Sequence, residues 1–205
     1  MNRKLTTLFL SLLVAAAPAS HAAPDTRAAR YYEDALSRYD KKDVAGAIIQ
    51  LKNALQIDKN MLPVHVLLGK SLLATSEVIG AEVAFNEALR LGVNRAEVVI
   101  PLARAVMAQG RLQELVDKPV FSPVGLPTST QAQLLLLRAS AAADIGGAPA
   151  AMRSIEEARA IEPGSPDSWL AEVPLRIRAA QYREAEAAAD RALLIRPTSA
   201  EAHYL

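Results

Sequence analysis

The groups in this 205-residue sequence with the chemistry to act on a substrate or metal are few: His21, His65, His203, some neighbouring carboxylates and one Gly-Gly step. Histidine serves as a general base or metal ligand only when partners converge on it. His65 and His203 fall at the same place of a repeat described below, four repeats apart, so they cannot share an ion. Both read as aromatic spacers in a core, and His21 lies in a cleaved leader. Glu156–Glu157 and Glu184–Glu186 fall on second helices of hairpins and read as solvated surface charge. Gly146-Gly147 reads as a turn between helices, because no phosphate-loop pattern surrounds it. His-Glu-x-x-His and nucleophile-elbow motifs are absent. The sequence has no cysteine, which excludes disulfides, a thiol nucleophile and a cysteine metal site. The expectation is a protein that is not an enzyme, with no catalytic residues, no cofactor and no metal.

What remains is binding chemistry, and the elements that present it are helices. Ala and Leu dominate, both strong helix formers, and no run of β-branched residues alternates as a strand would. Self-similarity at 34 residues sets the frame: Ala47 and Ala54 recur as Ala81 and Ala88, Ala151 and Ala158 as Ala185 and Ala192, and Pro163 as Pro197. A 34-residue period with small residues at fixed offsets is the tetratricopeptide (TPR) pattern of paired antiparallel helices. The fold expected is therefore all-α, a right-handed superhelix of helix-turn-helix repeats, built of ten helices with a further helical start at the end. The array occupies 23–205, with repeats at 28–61, 62–95, 96–131 (irregular), 132–165 and 166–199, and a sixth starting at 200. Because the last residues begin a repeat, the sequence reads as the N-terminal part of a longer protein.

Each position of the frame has a packing role. Positions 8, 20 and 27 lie where helices approach closest, and position 8 is Ala35, Gly69, Ala103 and Ala139. Position 4 fills the hole between repeats with Tyr31, His65, Val99, Leu135, Trp169 and His203. One hairpin cannot bury its apolar face alone, so neighbours must stack. Gly110 and Gly146 mark the turn inside a repeat, at position 15. Departures are expected at Pro101 and Pro174, which bend their helices, and in repeat 3, where Leu112 to Lys118 begins the second helix but Pro119, Pro123, Gly125 and Pro127 forbid its continuation over Pro119–Thr130. The alanine frame slips by two residues across that stretch, which reads as an irregular loop.

The first helix of each repeat lines the concave face through positions 2, 5, 9, 12 and 13. These supply Tyr32, Leu36 and Tyr39 in repeat 1, Lys70 and Leu73 in repeat 2, Arg104 and Met107 in repeat 3, and Leu170 and Arg178 in repeat 5. Tyr32 and Tyr39 are seven apart, on one helical stripe, and read equally as part of a binding face or as cover for the apolar edge of the first repeat. Lys70 and Arg104 are one period apart and stack side by side, which reads either as ordinary solvated surface charge or as two cations that receive a carboxylate. Aromatic residues, Met and Arg are enriched at protein interfaces. The face departs from the chaperone-binding carboxylate clamp, which wants Asn at position 9 of the first repeat, where Leu36 stands. The partner expected is a protein or peptide.

An export leader precedes the array. Arg3 and Lys4 form a positive start, Leu5 to Ala17 is apolar, and Ser20-x-Ala22 fits a signal-peptidase site, placing cleavage after Ala22. The apolar stretch is shorter than the roughly 20 residues a spanning helix needs, and no membrane-length segment follows. Cleavage changes the net charge from +1 to −1, leaving no basic field for nucleic acid. The expected location is periplasmic or secreted, with no lipobox cysteine to anchor the chain.

The runs Tyr31-Tyr32-Glu33-Asp34-Ala35-Leu36 and Ala45-Gly46-Ala47-Ile48-Ile49-Gln50-Leu51-Lys52-Asn53-Ala54-Leu55-Gln56 carry a resemblance. So do Leu67-Leu68-Gly69-Lys70, Glu87-Ala88-Leu89-Arg90-Leu91-Gly92, Pro101-Leu102-Ala103-Arg104 and Ala108-Gln109-Gly110. Together they resemble the PEP-CTERM/exosortase-system tetratricopeptide-repeat proteins of the PrsT family, most closely over 28–118. Outside the alanine frame, Ile48 to Asn53 is the specific part of the likeness. The resemblance implies a long array encoded with exopolysaccharide and exosortase functions, and often a lipoprotein. The function expected is an exported scaffold supporting exopolysaccharide production or export, or PEP-CTERM protein sorting. The alternatives are a periplasmic chaperone-like assembly factor for envelope proteins and the regulatory repeat region of a longer enzyme.

Overall fold

Segments rich in Ala and Leu, with small residues recurring at the packed offsets, wind into helices throughout the computed structural model, which describes residues 26–197. The leader and the start of the sixth repeat, with His203, lie outside the described residues. Ten α-helices form five hairpins, and no strand occurs among the described residues. The hairpins pair α1 (Thr26–Asp40) with α2 (Val44–Ile57), α3 (Leu62–Ala74) with α4 (Val78–Arg90), and α5 (Arg95–Ala108) with the short α6 (Leu112–Asp117). They continue with α7 (Thr128–Asp144) against α8 (Ala148–Ile161), and α9 (Asp167–Arg178) against α10 (Tyr182–Ile195). The first helices α1, α3, α5, α7 and α9 also touch one another in sequence, giving one continuous inner layer.

The small frame residues sit where the helices meet. Ala35, Ala47, Ala54, Ala81, Ala88, Ala103 and Ala151 are all fully buried. Gly69 answers a specific neighbour: a Cβ built there would lie 2.6 Å from the ring of Phe85, which is itself fully buried. The position-4 residues behave as spacers, with Val99, Leu135 and His65 buried and Tyr31 and Trp169 half-buried. His65 uses its Nε2–H to donate to the Lys59 carbonyl at 2.8 Å, which satisfies the ring inside the interface. The apolar core is continuous from Ala35 to Ala141 and gives way to smaller alanine-rich clusters in the last two hairpins.

Every hairpin turn closes the same way. The position-15 residue takes a left-handed conformation in all five: Lys42 (φ 67°), Ser76 (φ 63°), Gly110 (φ 71°), Gly146 (φ 82°) and Ala180 (φ 57°). The next residue's N–H donates five residues back, Asp43 to Arg38 O (2.9 Å), Glu77 to Leu72 O (2.8 Å), Arg111 to Val106 O (3.2 Å), Gly147 to Ala142 O (2.7 Å) and Gln181 to Arg176 O (2.9 Å). This cap satisfies carbonyls that a helix end otherwise orphans. Three of the five turns therefore carry a Cβ where glycine is preferred. Ala180→Gly is expected to stabilise the fold by about 1 kcal/mol, raising Tm by about 2–4 °C; an unchanged or lower Tm in thermal denaturation contradicts the assignment.

The proline-rich stretch differs from a simple loop. A 3-10 turn at Pro119–Phe121 follows α6, and α7 begins at Thr128, inside the segment expected to be irregular. Phe121 and Leu126 are buried and continue the apolar face of the shortened second helix beyond Leu115. Carbonyls at the end of α6 and in the stretch after it are taken up by arginine. Arg95 donates to the carbonyls of Val120 (3.1 Å), Ser122 (2.6 Å) and Val124 (2.6 Å), and Arg138 to those of Leu115 and Phe121 (both 3.0 Å). Pro101 and Pro174 lie within the unbroken spans of α5 and α9.

Candidate functional site

Among the described residues, two clefts are lined by the inner layer. In the first, α1 supplies Tyr39, α3 supplies Lys70, Leu73 and Ala74, and α5 supplies Pro101, Arg104 and Ala108 around a cavity of about 520 Å³. Ser76 and Val78 close it at the turn into α4. Lys70 and Arg104 are exposed, and neither makes an ion pair or side-chain hydrogen bond among the described residues. Tyr39 and Leu73 are half-buried against the core and give the cleft an apolar floor. Two unpaired cations above apolar surface can receive an acidic group whose neighbouring side chain packs below.

The second cleft lies between α7 and α9 and encloses about 340 Å³. Leu136, Ala139, Ser140 and Ala143 face Leu170, Ala171, Pro174 and Leu175 across it. Its charges are Asp167 and Arg178, and Arg178 donates to Asp144 at 3.1 Å. The two cations expected upstream and the one at Arg178 therefore differ in kind: Arg178 already has its counter-charge. Of the residues the sequence selects, Tyr39, Lys70, Leu73 and Arg104 converge on the first cleft, and Leu170 and Arg178 on the second. Tyr32 and Met107 pack half-buried on the core, Leu36 stands 36% exposed, and none of the three lines either cleft. Burial raises the pKa of the Tyr32 hydroxyl above its ordinary value.

Sequence reasoning missed most of the second cleft. Its signal was a pair of small residues, Ser140 and Ala143, at positions 9 and 12 of repeat 4, with Pro174 at position 9 of repeat 5. The second and third repeats carry Lys70, Leu73, Arg104 and Met107 at those two positions.

Several other charged groups pair with one another inside the fold. Glu172 is buried between Arg159 (2.6 Å) and Arg176 (2.7 Å), and Arg159 also lies 3.5 Å over the centre of the Trp169 ring. Arg111 joins Glu82 (2.6 Å) on the second hairpin to Glu114 (2.6 Å) on α6, and hydrogen bonds from Arg111 and Lys118 lower the Glu114 carboxyl to about 2. Among the described residues no three His, Asp or Glu side chains group to hold a metal ion, and no helix is long and apolar enough to cross a membrane.

No family model matches the chain, and no curated protein matches it. Solved structures do. YrrB, described as a TPR protein with an unusual peptide-binding site, is 17% identical with a TM-score of 0.67, over 86% of this chain and 90% of its own. MamA from Desulfovibrio magneticus RS-1 is 13% identical with a TM-score of 0.72, over 87% of this chain and 99% of its own. PilF of Pseudomonas aeruginosa is 17% identical with a TM-score of 0.63, over 87% and 81%. The shared feature is the fold, an all-helical TPR superhelix.

Proposed function

We propose that this chain is an exported scaffold that holds a partner protein by an acidic segment laid in the first cleft. The observation that carries the reading is the pair Lys70 and Arg104, stacked on successive inner helices without a counter-charge above Leu73 and Tyr39. Such a pair attracts a carboxylate-bearing segment and sets its register more than its raw affinity. The peptide-binding site named for YrrB supports a segment as the ligand. The partner belongs to the envelope machinery for exopolysaccharide production or export, or for PEP-CTERM protein sorting. The leader pattern over 1–22 and the likeness of 28–118 to that family support this assignment.

The test is a pull-down from envelope extract with the wild-type protein and the Lys70→Ala, Arg104→Ala double variant. One dominant partner, lost in the double variant and released by salt at unchanged Tm, is the expected result. Many unrelated clients would point to an assembly factor instead. A partner retained in full by the double variant would remove the first cleft from the account.

A further inference from the structure

The geometry points to a second subsite: the cleft between α7 and α9 takes one large apolar side chain of the same segment, five or six residues from its acidic group. This inference rests on the reading of the first cleft and specifies the segment that it binds. Both clefts open on the same inner layer, formed by first helices that touch in sequence from α1 to α9. Their chemistry is opposite. The first presents two unmatched cations. The second is walled by Leu136, Ala139, Ala143, Leu170 and Leu175, and its one cation is answered by Asp144. With Asp167 also on its wall, the second cleft repels a carboxylate and accepts an uncharged group. Its volume of about 340 Å³ is at the small end of the roughly 300–1,000 Å³ of ligand pockets. That suits a single side chain entering from an extended backbone.

The spacing follows from helix packing. The first cleft is centred between α3 and α5 and the second between α7 and α9, two helix spacings further on. At about 8–10 Å per spacing the centres are roughly 16–20 Å apart. An extended chain advancing about 3.3 Å per residue covers that in five or six residues. The ligand class is therefore an extended protein segment with one or two carboxylates, then an uncharged stretch, then a Leu- or Phe-sized residue.

The probe is a set of fluorescein-labelled, alanine- and serine-based peptides read by anisotropy. One carries a Glu-Glu pair alone. Others add a leucine two or six residues away, on either side of the pair. The expected result is that one orientation of the six-residue peptide binds about tenfold tighter than the Glu-Glu peptide, while the two-residue peptides gain nothing. Ser140→Phe, which plugs the second cleft from an exposed position, is expected to abolish the gain. The comparison among peptides does not depend on that variant folding. If the Glu-Glu peptide binds and is lost in the Lys70→Ala, Arg104→Ala variant, but leucine adds less than twofold at every spacing, the second subsite is overturned. If the Glu-Glu peptide does not bind, or binds the double variant equally, the reading of the first cleft falls.

Discussion

Replacing Phe85 by alanine is expected to destabilise the array by about 4 kcal/mol, and replacing Gly69 by alanine by about 1–3 kcal/mol. The two effects have one origin. Phe85 is fully buried on α4, and its ring occupies the space that a Cβ on residue 69 of α3 would need, 2.6 Å away. The interior is close-packed, so removing the ring leaves a cavity, while adding the methyl group forces the helices of the second hairpin apart. Residues in contact are not additive. Phe85→Leu in the Gly69→Ala background is therefore expected to recover part of the loss, because a smaller side chain makes room for the new methyl. A double-mutant cycle by chemical denaturation checks this. Strictly additive losses would mean that the ring and residue 69 do not meet.

Glu172→Ala is expected to cost about 3 kcal/mol. The carboxylate is 6% exposed and holds Arg159 of α8 and Arg176 of its own helix at 2.6 and 2.7 Å, so its loss strands two guanidinium groups at the junction of the last two hairpins. Burial pulls the Glu172 pKa upward, but hydrogen bonds from Arg159 and then Arg176 outweigh it and hold the group below its ordinary 4.5. A carboxyl depressed in the folded state stabilises above its unfolded pKa and loses that contribution as pH falls through the folded value. The stability gap between wild type and Glu172→Gln is thus expected to be full at pH 7 and to close on acidification below about 4.5. Denaturant midpoints across that range measure it. A gap that widens toward acid would contradict the ion-paired state.

The repeat was legible because its alanines are constrained by contact: nothing larger fits where the helices touch, so period and packing coincide. The turns were legible only in part. Gly110 and Gly146 announced the left-handed position, whereas Lys42, Ser76 and Ala180 adopt it because the cap and the packed helices impose it. The stretch after α6 was legible as a break, since proline stops helices. Its order was not, because that depends on Arg95 and Arg138 reaching carbonyls up to 29 residues away in sequence. Lys70 and Arg104 could be paired by period alone. Of the second cleft, Leu170 and Arg178 were legible from their positions, whereas Ser140, Ala143 and Pro174 carry no binding chemistry that would single them out.

The most direct test of the account is site-specific photo-cross-linking in the native envelope, with the photoreactive residue at Ala108 inside the first cleft or at Ile49, 60% exposed on α2. The account predicts one dominant protein cross-linked through Ala108, absent when Lys70 and Arg104 are alanine and absent from Ile49. The same protein captured through Ile49 and not through Ala108 would contradict a scaffold that holds its partner on the inner face.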